Sequence, residues 1–168
     1  MSNPLQDSII DLIKTKGPCT GFEILSEINE DSLLIWKACK STPQLLVRAL
    51  GRRYVRLDRH VEGFARLSPS ILREFLTYSV VGLADNPGPL EKRCAEVTER
   101  IHEISAFKFS LARWMVSEIM EEFEDDLSRQ HQICFIIAGD IVYEMAHDVP
   151  RPEKSTGKLV KGSDIDLV

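Results

Sequence analysis

The last eight residues, KGSDIDLV (161–168), constrain the fold of this chain more than any other segment. Asp164 and Asp166 alternate with three apolar residues, which is the period-2 pattern of a half-buried β-strand. Residues i and i+2 of a strand project from the same face, so the two carboxylates are expected side by side. Adjacent carboxylates repel each other unless a cation lies between them. The segment therefore predicts a strand that carries a cation site.

The rest of the composition indicates a chain with an apolar core and two unlike halves. The 168 residues are 43% hydrophobic, which is enough to build one domain or two small ones. Residues 1–80 carry 11 basic and 9 acidic side chains, whereas residues 81–168 carry 10 and 17. The net charge of −5 thus divides into +2 and −7. An acidic average excludes a polybasic nucleic-acid coat, but it leaves room for a local basic surface.

Cysteine usage and hydropathy indicate a cytoplasmic protein. The cysteines are far apart and form no C-x-x-C pair, which favours free thiols in a reducing compartment over disulfides. The four histidines show no H-x-x-x-H zinc spacing. The N-terminus lacks the pattern of a signal peptide, and no window approaches the roughly 18 apolar residues that a membrane span needs. We therefore expect no membrane association. The cysteines are Cys19, Cys39, Cys94 and Cys134.

Apolar spacing and capping residues predict short helices in the first fifty residues. Thr20 is a plausible N-cap for the second of them. Thr42, followed by a proline, is a plausible N-cap for the fourth, which would end before Gly51. The predicted helices cover residues 5–15, about 22–28, a segment after the NED motif, and about 42–50.

After these helices the pattern changes to period 2. Two short strands are predicted at about 53–58 and 63–67, and residues 68–83 are predicted to form a further helix. Helices followed by a β-hairpin are the order of a winged helix-turn-helix, in which one helix can enter a major groove. The turn-rich segment 84–89 marks the end of this domain. We therefore predict a winged-helix-like domain over 1–83.

The hairpin region is also rich in arginine. Residues 48–73 contain seven arginines and no lysine, against Asp58 and Glu62. Arginine favours bidentate contact with phosphate or guanine, so this region is a candidate nucleic-acid surface. The alternative, that several arginines pair with the acidic second half, stays open. The candidate nucleic-acid-binding residues are Arg48, Arg52, Arg53, Arg56, Arg59 and Arg66.

Residues 84–128 are predicted to be a helical connector. Its apolar residues form two stripes at helical spacing, which a linker helix and a core helix explain. The alternative is a short coiled coil that forms a homodimer. The remainder, 129–168, reads as strand 132–138, Gly139, helix 140–147, a basic polar loop, and the final strand 164–168. The fold class expected for the whole chain is α+β and mainly helical.

The segments FIIAGD (135–140) and GSDIDLV (162–168) resemble the DNA polymerase beta-like nucleotidyltransferase superfamily. Members of that superfamily have an apolar strand ending in Gly-Ser, a helix, and then an Asp-x-Asp strand. The resemblance implies a two-metal Mg²⁺ site, a nucleoside triphosphate substrate, and the first strands of a nucleotidyltransferase α/β core. Asp140 stands where the superfamily has serine.

The resemblance also implies roles for single residues. Asp164 and Asp166 would be the catalytic metal ligands. Residues Gly139, Asp140, Gly162 and Ser163 would line the nucleotide phosphates. Magnesium prefers such hard oxygen ligands and often binds through one or two carboxylates plus phosphates. The third carboxylate would come from a strand beyond Val168, so we expect an N-terminal portion of a longer enzyme, inactive as given.

The leading hypothesis is a metal-dependent nucleotidyltransferase that moves a nucleoside monophosphate from a nucleoside triphosphate to a hydroxyl acceptor. The alternative is a winged-helix nucleic-acid-binding regulator whose C-terminal part senses a nucleotide or metal without catalysis. The basic loop before the final strand could contact phosphates or be a solvated flexible segment. Its basic residues are Arg151, Lys154, Lys158 and Lys161.

Overall fold

The structure is a computed structural model that describes residues 3–51, 69–121, 134–152 and 156–168. These residues have an α+β fold of helices and small antiparallel sheets. They form two compact units, Met1–Thr98 and Glu99–Val168. Among them, no helix combines the length and the apolar character that crossing a membrane requires.

The first three helices lie where the sequence predicts them, and each begins at a polar cap. Helix α1 (Pro4–Lys16) is capped by Asn3, α2 (Gly21–Glu27) by Thr20, and α3 (Ser32–Ser41) by Asp31. Thr20 Oγ1 accepts a hydrogen bond from the Glu23 N–H at 3.2 Å, and Glu23 Oε2 accepts one from the Thr20 N–H at 2.7 Å. This capping box satisfies two N–H groups that the first turn of α2 would otherwise leave unpaired.

A three-stranded antiparallel sheet accompanies these helices in the order β1-β3-β2. Its strands are β1 (Cys19–Thr20), β2 (Leu45–Ala49) and β3 (Ser79–Leu83). The first unit also contains α4 (Pro69–Tyr78) and the beginning of α5 (Pro87–Glu121). The hairpin predicted at 53–58 and 63–67 lies outside the described residues.

One helix prediction in this unit is wrong, and another is confirmed only over its first part. The segment 42–50 contains strand β2, which pairs with β3 from Leu45↔Leu83 to Ala49↔Ser79. Thr42 is not an N-cap; its N–H and its hydroxyl both donate to the Ala38 carbonyl at the end of α3. The helix predicted over 68–83 ends at Tyr78, and the run from Ser79 onward forms β3. Short apolar runs fit both states, and pairing between β2 and β3 decides for strand.

The core of the first unit is large and apolar. The side chains of Ile9, Ile24, Ile35, Phe75 and Val81 are at most 1% exposed. They come from the first three helices, from α4 and from β3, so the helices and the sheet share one apolar core. Cys19 and Cys39 are also buried here, and burial raises the pKa of the Cys39 thiol to about 12. All four cysteines are free, although Cys134 is exposed rather than buried.

The second unit is built from the later part of α5 and from very short strands. β4 (Ile137–Ala138) pairs antiparallel with β7 (Asp166–Leu167), and β5 (Pro150–Pro152) pairs antiparallel with β6 (Leu159–Lys161). Among its described residues, Ile104, Ile141 and Ala146 form a buried apolar cluster, with two partly buried isoleucines packed against them. The partly buried residues are Ile137 and Ile165.

Four predictions in this unit need correction. Within the described residues of the predicted strand 132–138, only the two residues of β4 form a strand. The predicted helix 140–147 is a single 3₁₀ turn, Gly139–Ile141, because Glu144 takes a left-handed backbone conformation with φ of 57° that interrupts a helix. The predicted loop contains the β5–β6 hairpin, and the predicted last strand is reduced to β7.

Candidate metal and nucleotide site

The alternation predicted for the final segment is present in the structure. Asp164 and Asp166 are exposed, whereas Ile165 and Leu167 are partly buried. Ile165 packs on the small core of the second unit, which turns the neighbouring aspartates outward. Only Asp166 lies within β7, opposite Ala138 of β4. The two carboxylates therefore stand on the exposed side of this segment, one in the strand and one just before it.

Gly139 lies directly against the Asp166 carboxylate. Its backbone has φ of +77°, and a Cβ at this position would overlap Asp166 Oδ2. A glycine is therefore required both by the backbone conformation and by the close approach of the carboxylate. The β4–β7 register causes this juxtaposition, because Ala138 is opposite Asp166 and Gly139 is the next residue. The structure thus brings together two of the residues that the sequence singles out.

Ser163 connects the segment that carries the aspartates to the 3₁₀ turn. Its hydroxyl donates to Asp140 Oδ2 at 3.1 Å and accepts from the His147 N–H at 3.2 Å. The Ser163 N–H donates to the His147 carbonyl at 2.9 Å. Ser163 is only 7% exposed, so its hydroxyl is used within the fold. These bonds fix Asp140 beside the aspartate segment, although the two are 23 residues apart in sequence.

Gly162 passes close to the backbone of residue 147. Its φ is +78°, and a Cβ would overlap the His147 carbonyl oxygen. The Gly162 N–H donates to the Val149 carbonyl at 3.3 Å. At this Gly-Ser dipeptide, two chain segments therefore cross in close contact. The crossing sets the position of Asp164, which is the next residue.

Two basic side chains donate hydrogen bonds to the carbonyl groups of the same dipeptide. The Lys108 ammonium donates to the Ser163 carbonyl, and Arg151 Nε donates to the Gly162 carbonyl at 2.8 Å. The Arg151 guanidinium also forms an ion pair with Asp164. Burial, followed by the nearby Arg151 charge, lowers the pKa of Lys108. Two cations and the exposed aspartates thus lie at one edge of the second unit.

Lys108 was missed by the sequence analysis. It lies within α5, in the stretch AFKFS, where it is a single charge among apolar residues. Such an isolated lysine is the only signal that could have marked it. Its partner, the Ser163 carbonyl, is 55 residues away in sequence. Only the tertiary structure shows that the two meet.

Of the predicted nucleic-acid-binding arginines, one lies in the described residues. Arg48 is in β2, and its Nε lies 3.1 Å from Glu91 Oε1 on α5. Both side chains are about half exposed, so the pair contributes little to stability. This single contact agrees with internal pairing to the acidic half. The other five, Arg52, Arg53, Arg56, Arg59 and Arg66, lie outside the described residues.

The donors at the aspartates fit a hard divalent cation. Asp164 and Asp166 offer exposed carboxylate oxygens, which are the ligands that Mg²⁺ prefers. The Asp166 carboxylate occupies the space that a side chain at position 139 would fill. Across residues 3–51, 69–121, 134–152 and 156–168, no three His, Cys, Asp or Glu side chains form a group that could hold a metal. The described carboxylates therefore offer two protein ligands.

A separate cavity of about 490 Å³ lies in the first unit. Its charged side chains are paired with one another: Arg93 Nη2 lies 2.6 Å from Glu23 Oε1, and Lys16 Nζ lies 2.7 Å from Glu27 Oε1. With its charges already compensated, the cavity shows no preference for a charged ligand. It is lined by Lys16, Pro18, Cys19, Glu23, Glu27, Pro89, Lys92, Arg93 and Glu96.

Comparison of the chain with protein families, with characterised proteins and with solved structures finds no match.

Proposed function

We propose that this chain carries part of the metal site of a Mg²⁺-dependent nucleotidyltransferase, which transfers a nucleoside monophosphate from a nucleoside triphosphate to a hydroxyl acceptor. The observation that supports it most is the approach of the Asp166 carboxylate to Gly139, with Asp164 exposed beside it. This is the juxtaposition that the resemblance of FIIAGD and GSDIDLV requires.

The proposed roles follow from these positions. Asp164 and Asp166 hold the metal, which when bound neutralises charge on the triphosphate. Gly139 leaves the space in which the Asp166 carboxylate approaches the backbone. Ser163 and Gly162 position Asp164 through their buried crossing with residue 147.

Metal binding by the aspartates tests this proposal. Binding of Mn²⁺ to the chain would be followed by electron paramagnetic resonance in Asp164→Asn, in Asp166→Asn and in the unmodified chain. Each substitution should weaken binding by more than about tenfold, because even outer-shell partners of metal ligands typically contribute that much. Glu118→Gln, which removes an exposed carboxylate from α5, is the control. Unchanged Mn²⁺ binding in both aspartate variants would refute the metal assignment.

A winged-helix arrangement in the first unit is the second part of the proposal. Three capped helices are followed by β2, which pairs antiparallel with β3, and this order agrees with a helix-turn-helix backed by a strand pair. The order favours a second candidate function, a nucleic-acid-binding regulator with a non-catalytic C-terminal part. A regulator of this kind would bind duplex DNA in a salt-dependent manner that the two aspartate substitutions leave unchanged.

A further inference from the structure

Asp164 already has a cationic partner within the fold. Arg151 forms an ion pair with Asp164 and donates from Nε to the Gly162 carbonyl at 2.8 Å. Arg151 lies in β5, where it is opposite Val160 of β6. The hairpin therefore carries a guanidinium to one of the two carboxylates of the proposed metal site.

The two aspartates of this site differ in their surroundings. The Asp166 carboxylate rests against Gly139, on the 3₁₀ turn, whereas the Asp164 carboxylate is neutralised by Arg151. A metal that used both aspartates would meet the guanidinium at Asp164. Two cations on one carboxylate repel each other, so the metal and Arg151 compete for Asp164.

The ion pair is exposed enough to be displaced. The side chains of Arg151 and Asp164 are 39% and 51% exposed, and ion pairs with this exposure are weak. A displaced guanidinium remains tethered to the β5–β6 hairpin beside the site. Its planar fork matches phosphate oxygens, which it can bind in a bidentate manner. A metal-bound triphosphate would thus offer Arg151 a new partner at the moment when it loses Asp164.

We propose that Arg151 exchanges partners: it neutralises Asp164 in the metal-free protein and binds a phosphate of the metal-bound nucleotide. This inference rests on the proposed function, because it assumes that Asp164 and Asp166 bind a divalent cation. It assigns Arg151 a phosphate-binding role, so that a polyphosphate and the metal bind more tightly together than separately. Arg151 is outside the motifs that carry the resemblance.

The exchange predicts opposite effects on two ligands. In Arg151→Gln, Mn²⁺ alone should bind roughly two- to fivefold more tightly, because its competitor for Asp164 is gone. Inorganic tripolyphosphate at saturating Mg²⁺ should bind about tenfold or more weakly, because a charge-assisted hydrogen bond is lost. Electron paramagnetic resonance measures the first affinity and isothermal titration calorimetry the second.

Three further variants make the result specific. Arg113→Gln removes the same charge from an exposed position of α5 and should change neither affinity. Arg151→Lys keeps the charge and should retain most of the competition with Mn²⁺. Asp166→Asn in the Arg151→Gln background should abolish the tighter Mn²⁺ binding, which shows that it occurs at the same site.

The outcomes separate the two hypotheses. If Arg151 only stabilised the fold, Arg151→Gln would weaken the binding of both Mn²⁺ and tripolyphosphate. That result would refute the exchange. Mn²⁺ binding that depends on Asp166 but is equal in Arg151→Gln and in the unmodified chain would also refute the exchange, while leaving the proposed function intact. Mn²⁺ binding that does not depend on the aspartates would refute the proposed function, and the exchange with it.

Discussion

The two units of this protein are stabilised in different ways. The largest fully buried side chains of the described residues, among them Phe75, Ile9 and Leu90, all lie in Met1–Thr98. Among the described residues of Glu99–Val168, the apolar cluster of Ile104, Ile141 and Ala146 is smaller than the cluster of the first unit. Each unit has three buried polar residues among those described, which in the second unit are Ser105, His147 and Ser163.

The polar residues of the second unit connect segments that are distant in sequence. The Ser105 hydroxyl donates to the Ile101 carbonyl and accepts from the Ala146 N–H at 3.0 Å, so it joins α5 to the segment after the 3₁₀ turn. Ser163 makes the corresponding connection to Asp140 and His147. In the described residues, the first unit thus has the larger apolar cluster, whereas in the second unit buried hydroxyls join α5, the 3₁₀ turn and the segment that carries the aspartates.

The largest effect that distinguishes the units is expected for a core phenylalanine. Phe75→Ala, at a side chain that is 1% exposed in the first unit, should lower the free energy of unfolding by about 3–5 kcal/mol. Phe107→Ala, at a side chain that is 68% exposed in the second unit, should change it by less than about 0.5 kcal/mol. Urea denaturation measures both. Similar losses in the two variants would contradict the comparison.

A smaller effect is expected at the backbone crossing of the second unit. Gly162→Ala combines a left-handed backbone conformation with an overlap on the His147 carbonyl and should cost roughly 2–3 kcal/mol. Gly157→Ala has a similar φ of +66° with nothing within 4 Å of the new Cβ, so it should cost only about 1 kcal/mol. Hydrogen exchange of residues 145–163 and urea denaturation measure the difference. Equal losses would show that the crossing is not constrained as the structure indicates.

The smallest effect concerns the helix cap in the first unit. Thr20→Ala removes the side chain that accepts from the Glu23 N–H and should cost about 1 kcal/mol. Ser26→Ala, in the same helix but away from the cap, should change the free energy of unfolding by less than about 0.5 kcal/mol. Thermal unfolding followed by circular dichroism compares the two. A Thr20→Ala variant as stable as the Ser26→Ala variant would mean that packing alone sets the start of α2.

The comparison also explains which sequence predictions succeeded. Local signals are sufficient for the first three helices, because their caps and apolar spacing lie within a few residues of each other. They are insufficient for β2 and β3, whose partners lie thirty or more residues apart in sequence. A window of a few residues contains no information about such partners. The short helix predicted after Gly139 fails for a different, local reason: Glu144 takes a positive φ, and the Met145 N–H donates to the Asp140 carbonyl.

The same distinction between local and distant partners applies to the candidate site. The alternation of aspartates with apolar residues in KGSDIDLV, and the glycine after the preceding strand, are properties of the sequence alone. That the glycine meets Asp166, and that Ser163 bonds to Asp140, depends on the β4–β7 register and on the crossing at Gly162. Lys108 and Arg151 reach this segment only because α5 and the β5–β6 hairpin pack beside it.

The sequence by itself therefore determined the α+β character, the N-cap of the second helix and the exposed carboxylate pair, since each follows from neighbours in the chain. The tertiary structure alone decided the strand pairing of the first unit, the crossing at Gly162 and the contact of the Arg151 guanidinium with Asp164. The physical reason is that hydrogen bonds and charges act over a few ångströms in space, and folding brings together residues that the chain keeps far apart.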